Sequence, residues 1–169
     1  SVASIGADYI FGKSKRHFNY TYNQTQRVYL DDSTSISGFA KYSRGEYNGK
    51  AHFVEAYSNL FAAKNADVLV GADYRSQITD QDYLSISNFG PYTTALGDSA
   101  KVKQLGVYAS VVLKDIQGFN LEVGGRYNHF NKYGDAFTFS FNPSYVIKNV
   151  IKIFGNITSG FKAPSLYQV

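Results

Sequence analysis

Three histidines are the residues best equipped for chemistry here, and their placement argues against it. His17, His52 and His129 lie far apart, each in a different candidate strand and with no ligand spacing. A solvated or wall-lining role suits them better than a metal. Cysteine is absent, which removes disulfides, thiolate metal sites and thiol nucleophiles. Asp31-Asp32 and Asp80-Gln81-Asp82 set carboxylates close enough to collect Ca²⁺ through oxygen ligands. The other ligands of a calcium loop are missing, so solvated charge pairs are the plainer reading. Ser, His and Asp all occur, but no Gly-x-Ser-x-Gly turn presents a nucleophile. The chain is expected to be no enzyme and to hold no cofactor or metal.

Binding has one better candidate, the stretch from Ser85 to Thr94. Its Ser87, Asn88, Phe89 and Tyr92 offer aromatic faces and polar groups on an expected loop, and loops on rigid scaffolds often carry binding. The bland alternative is an ordinary surface loop.

The elements that must position these residues are strands. From Lys101 to Lys114, Leu105, Val107, Ala109, Val111 and Leu113 share one face, and Gln104, Gly106, Tyr108 and Ser110 share the other. That period of two marks a strand whose faces meet different surroundings. The pattern returns with Leu121 and Val123 against Glu122 and Arg126, with Phe137 and Phe139 against Thr138 and Ser140, and with Ile151 and Ile153 against Lys152. Glu55 should turn away from lipid, where a charge is expensive. Eight strands are expected, near 3–11, 16–29, 49–62, 66–80, 101–114, 118–130, 135–146 and 150–161. The fold class is all-β, an antiparallel up-and-down meander.

Short connections alternate with longer ones. Gly12 to Lys15, Lys64-Asn65, Asp115-Ile116-Gln117 and Lys148-Asn149 read as tight turns, whereas Leu30 to Asn48 and Gln81 to Ala100 read as long loops. Outer-membrane barrels share this asymmetry, and strands of 12 to 14 residues suit a tilted crossing of about 9–11. The 15 Tyr and 13 Phe fit strands and membrane interfaces. A soluble ligand-binding barrel and a complete small outer-membrane barrel of eight strands, adhesive or enzymatic, remain alternatives at this point. The net charge of +4 is spread along the chain, and no cluster suggests nucleic acid. There is no Met, and Ser1 opens inside a strand. The chain is therefore expected to be a piece of a longer protein, residues 1–169 forming a partial barrel.

The end of the chain adds a resemblance. Gly160-Phe161-Lys162-Ala163-Pro164-Ser165-Leu166-Tyr167-Gln168 resembles a stretch of the TonB-dependent outer-membrane receptors. There it ends a barrel strand and enters an extracellular loop, and Pro164 suits such a strand end because it has no N–H for a ladder. Gly106-Val107-Tyr108-Ala109, Gly124-Gly125-Arg126-Tyr127 and Gly134-Asp135-Ala136-Phe137 resemble other family strands, in the same order. Residues 1–100 are similar more loosely, nearest to the cobalamin-transporter-like branch. The resemblance implies a segment of a transmembrane barrel of 22 strands in the bacterial outer membrane. Its intact parent would import a scarce small-molecule nutrient, such as an iron chelate or a cobalamin-like molecule. Its partners would be outer-membrane lipid, its own plug domain and TonB. Neither the plug nor a TonB-contacting segment is recognisable in this chain. Cut from a barrel, the sheet is expected to self-associate through its open edges.

Overall fold

The computed structural model describes residues 1–32, 40–96, 100–148 and 150–162. They form one antiparallel sheet of ten strands: β1 (Val2–Phe11), β2 (Ser14–Asp31), β3 (Ala40–Ala63), β4 (Ala66–Ser87), β5 (Gly90–Leu96), β6 (Lys101–Ile116), β7 (Phe119–Phe130), β8 (Gly134–Ile147), β9 (Ile151–Phe154) and β10 (Ile157–Thr158). The sheet runs β1-β2-β3-β4-β6-β7-β8-β10, with β5 beside the upper part of β4 and β9 beside β8. No α-helix occurs among the described residues.

Register is what makes the alternation meaningful. Ala7, Phe18, Ala56, Ala72, Val107, Tyr127 and Phe137 stand directly opposite one another in succession across seven strands. Directly paired residues project to the same side of a sheet. The apolar positions of every strand therefore stay in phase and form one continuous face. Glu55 falls on the opposite face, as expected, because its neighbours Val54 and Ala56 occupy the apolar one. A slip of one residue anywhere would exchange the two faces of that strand, so the pattern itself fixes the pairing. Asp73 and Asn128 on the polar face are only 5% and 6% exposed, whereas Phe137 on the apolar face is 66% exposed. The polar side chains are thus crowded together, which places them on the inside of the sheet's curl.

The turns at one end are tight. β1–β2 closes on Gly12-Lys13, β3–β4 on Lys64-Asn65, and β6–β7 on Gln117-Gly118. The last has positive φ at both positions (54° and 84°), the backbone of a hairpin turn matched to strand twist. The expected turn at Asp115-Ile116-Gln117 thus lies one residue later, because β6 runs through Asp115 with φ of 49° and a register shift beside it.

Two expectations are corrected at the other end. β2 continues to Asp31, and β3 begins at Ala40 rather than near residue 49. The expected loop from Gln81 to Ala100 is largely a hairpin: β4 runs on to Ser87 and returns as β5. β3 has 24 residues and β4 has 22, about twice the crossing requirement of roughly 9–11. The excess is polar or mixed on both faces, which is why alternation did not reveal it.

The eighth expected strand appears as β9 and β10, and proline explains the gap. Ile153 pairs Tyr145 and Ile157 pairs Phe141 in one unbroken register. Between them the Gly155 N–H donates to the Pro143 carbonyl at 3.0 Å, and Pro143 has no N–H to return the bond. The Ser159 N–H then donates to the Phe139 carbonyl at 2.9 Å, so the run extends to Ser159 with one rung missing.

Candidate functional site

The middle of the polar face carries a network laid across glycines. Gly71 on β4 faces Tyr108 on β6, and a Cβ added at Gly71 would lie 2.4 Å from the Tyr108 ring. That space lets the ring lie over β4, where its hydroxyl donates to the Glu55 carboxylate on β3 at 2.9 Å. One strand further along the device repeats. The Arg126 guanidinium on β7 passes over Gly106 on β6 and donates to Asp73 on β4 at 2.6 Å. Arg126 Nε and the Gln104 amide both donate to Asn128 Oδ1, at 2.9 and 3.0 Å. Arg126 also lies 5.4 Å from the Tyr108 ring centroid, joining the two halves. This arrangement braces a wall. Every charged group is already engaged, so it offers no free nucleophile or base.

Further along the same face, β2, β3 and β4 rise beyond the apolar band, and a groove of about 530 Å³ opens on them. Thr25, Arg27, Tyr29, Tyr47, Gly49 and Thr79 line it. Tyr29 and Tyr47 meet edge to face, with ring centroids 5.6 Å apart, and the Gln81 amide donates to the Tyr47 hydroxyl at 3.4 Å. Gly45 sits between Tyr29 and Tyr83 in the ladder, and the Tyr47 ring leans over it. Arg27 enters no ion pair among the described residues. Aromatic faces beside a free guanidinium can hold a planar or anionic small molecule by stacking and charge.

Arg27, Tyr29, Tyr47 and Tyr83 were not among the sequence candidates. The signal was present in Arg27 and Tyr29 alternating with Val28 and Leu30, and in Tyr83 and Ser85 alternating with Leu84 and Ile86. Ser87, Asn88, Phe89 and Tyr92 form the tip and return of the β4–β5 hairpin rather than an open loop. Asn88-Phe89 is a two-residue turn, tied by the Phe89 N–H donating to Ser87 Oγ at 3.1 Å. Phe89 is 86% exposed at the tip. Tyr92 pairs Ser85 and so projects to the same face as the groove.

Asp80 and Asp82 lie within β4, not in a loop, while Asp31 ends β2. No three His, Cys, Asp or Glu side chains converge on a metal position among the described residues. The histidines are each engaged separately. His17 Nδ1 is 2.6 Å from Asp8, His52 Nδ1 is 2.9 Å from the Tyr20 hydroxyl, and His129 Nδ1 is 2.6 Å from Asp135. On the β3 extension, amide hydrogens of Asn48 and Gln26 and the Arg44 guanidinium reach Glu46. These donors hold its carboxyl below the usual range. Gly160, Phe161 and Lys162 lie at the end away from the tight turns, where the Phe161 ring centroid is 5.7 Å from that of Phe130. Phe130, Val102 and Ala136 form the hydrophobic cluster there, with Tyr133 against it. Ala163, Pro164 and Ser165 lie outside the described residues.

The two-faced meander and its long upper strands define the wall of a large membrane barrel, and comparison with known proteins agrees. The family model "TonB dependent receptor-like, beta-barrel" matches residues 1–169. The chain belongs to that family, whose place is the bacterial outer membrane. A mutant of the ferric enterobactin receptor PfeA from Pseudomonas aeruginosa is similar over 99% of this chain and 26% of its own, at 15% identity and a TM-score of 0.78. The ferric citrate transporter FecA matches 92% of this chain and 26% of its own, at 17% identity and a TM-score of 0.64. The ferric yersiniabactin uptake receptor FyuA from Yersinia pestis matches 94% and 23%, at 14% identity and a TM-score of 0.62. The chain thus spans about a quarter of the length of these structures. No curated protein sequence matches it significantly.

Proposed function

We propose that residues 1–169 form one partial barrel domain of an outer-membrane importer whose intact form takes up a scarce nutrient, an iron chelate or a cobalamin-like molecule. The observation that carries the reading is the groove over Arg27, Tyr29 and Tyr47, set on the inner face of strands that rise above an apolar band. An incoming molecule passes that face before it reaches the lumen. The ferric receptors and transporter among the structural neighbours support the iron-chelate branch. The short share of their length supports a segment of a larger barrel over a complete one. In this reading the intact protein works with its own plug and with TonB, and the chain itself catalyses no reaction.

The test uses the intact receptor in a strain lacking it, supplied with the nutrient at limiting concentration. Replacing Arg27 and Tyr47 together by Ala should raise the half-saturating concentration by roughly tenfold or more, since a desolvated cation–π or charged contact contributes on the order of 1–3 kcal/mol. Deleting TonB should abolish uptake in both. Unchanged half-saturation in the double variant would remove the groove from the pathway. Uptake that persists without TonB would remove the importer reading.

A further inference from the structure

The upper hairpin ends in a strand with one bare side. Among the described residues β5 pairs with β4 alone, although β6, β7 and β8 follow on the same side of β4. The next strand to reach upward there, β7, stops at Phe130 opposite Gln104. The Asn131 N–H closes that ladder on the Lys103 carbonyl at 3.1 Å, and three residues then lead into β8. Ala95 faces Asp82 and Thr93 faces Leu84, six and eight residues along β4 from Ser76, the partner of Lys103. At about 3.4 Å per residue, they stand roughly 20 and 27 Å beyond the top of β7. So short a β7–β8 turn does not reach them.

Proline shows which backbone groups are bare. Ser87 and Gly90 flank the two-residue turn, and the register runs unbroken from there to Gln81 and Leu96. Residues facing each other in an antiparallel pair alternate between hydrogen-bonded and non-hydrogen-bonded. Pro91 has no N–H, so its place opposite Ile86 is of the second kind. Thr93 and Ala95 share its phase, and their N–H and C=O groups point away from β4. Pro91 blunts the rung nearest the tip. The two rungs below it are unguarded: edges are ordinarily protected by charge, proline or a bulge, and exposed Thr93, Thr94 and Ala95 supply none of these.

We infer that β5 accepts an extended peptide strand of a protein outside the cell, added along Thr93 and Ala95. A second copy of the receptor does not fit. Two copies in one membrane are related by a two-fold axis along the membrane normal, which sets each N–H level with the same N–H of its neighbour. A strand arriving from solution is free in direction and register. Its backbone supplies the hydrogen bonds, and its alternating side chains lie beside Tyr92 and Thr94 on one face and beside Thr93 on the other. Tyr92 is 62% exposed and offers that strand an aromatic surface on the groove side. No charged residue stands on β5, so the matching segment is uncharged and rich in β-branched or aromatic residues. The inference needs the tight turns to face the periplasm; it does not depend on what is imported.

The experiment uses the purified intact receptor and a capped peptide of alternating Thr and Val, read by amide hydrogen exchange at single residues. In the free receptor the Thr93 and Ala95 amides should exchange rapidly, and those of Tyr92 and Thr94 slowly. Millimolar peptide should slow exchange at Thr93 and Ala95, and the same peptide with every amide N-methylated should not. T93P/A95P removes two edge donors without touching the β4 ladder, and should weaken peptide binding at least about fivefold. T93V/A95V keeps both donors and should bind like the native receptor. Heat-modifiable gel migration checks that each variant is folded; if the proline variant is not, the N-methylated peptide carries the comparison. Thr93 and Ala95 amides already protected in the free receptor would show that the receptor covers its own edge, and would overturn the inference. So would exchange unchanged at millimolar peptide, equal protection by the N-methylated form, or undiminished binding to folded T93P/A95P.

Discussion

Arg126 and Asp73 lie 53 positions apart in sequence and two strands apart in the sheet, yet their side chains meet at 2.6 Å because Gly106 leaves the strand between them bare. Asp73 is almost fully buried, while Arg126 keeps about a third of its side chain exposed. The pair therefore acts less as an attraction between charges than as the satisfaction of a carboxylate that has lost its water.

Removing the donor should expose that cost. Arg126→Met in the intact receptor is expected to lower stability by about 1–3 kcal/mol, because a buried carboxylate is left short of a partner. Asp73→Asn should cost less, and the double variant less than the two added together, since residues in one network couple by roughly 0.5–3 kcal/mol. Denaturant unfolding of the folded receptor in detergent checks this. Strict additivity would show that the bridge contributes nothing.

Gly71 offers a finer test of the same wall. Gly71→Ala places a methyl against the Tyr108 ring and should swing it away from Glu55. The loss should match that of Tyr108→Phe, about 1 kcal/mol for a hydrogen bond. Combining both should cost little more than either, and a large additional loss would mean the backbone, rather than the ring, absorbs the methyl.

Single cysteines can read the two faces directly. In the intact receptor, cysteines replacing Leu105, Val107, Phe137, Phe139, Ile151 or Ile153 should resist a water-soluble maleimide. Those replacing Gln104, Glu122 or Lys152 on the other face should react. Cysteine at Lys50 should react too, although it shares the apolar face, because it stands beyond the apolar band. Labelling of the first group with protection of the second would invert the assignment.

The isolated chain should not stay single or transport anything. β1 pairs only β2, and β9 and β10 pair only β8, so both sides of the sheet present free backbone groups among the described residues. Such edges recruit further strands, and lipid offers them no partners. Light scattering on refolded residues 1–169 should show oligomers or aggregates. When exported to cells lacking the parent receptor, the same chain should give uptake no higher than an empty vector. A stable monomer with both edges unpaired, or TonB-dependent uptake, would refute these expectations.

The two faces were legible in the sequence because lipid and lumen demand opposite side chains at successive positions. Leu105 against Gln104, or Val54 against Glu55, needs no tertiary knowledge. Strand length was not legible. Above the apolar band both faces meet water, and the contrast between Ser43 and Arg44, or between Gln81 and Asp82, is too slight to mark a strand. That is why Tyr29, Tyr47 and Tyr83 were assigned to no site and the β4–β5 hairpin was expected as a loop. The missing rung at Pro143 was readable from the residue type, but only the register shows that the vacant bond faces Gly155. The glycine-bridged network was hidden for another reason: nothing local to Gly71 or Gly106 says which side chain will lie across it.

The long upper reach of β2, β3 and β4 has a consequence for how the molecule keeps its alignment. Within the apolar band, a slip of one residue would drive charges into lipid, so mispairing is heavily penalised. Beyond Lys50 and Ile78 no such penalty exists, since water accepts either face. The Tyr29–Tyr47 contact and the groove beside it therefore inherit their alignment from rungs set deep in the bilayer, as the upper teeth of a zipper inherit theirs from the first few engaged. A lesion far below, at the level of Ala56 or Ala72, would scramble the groove without touching any residue that lines it.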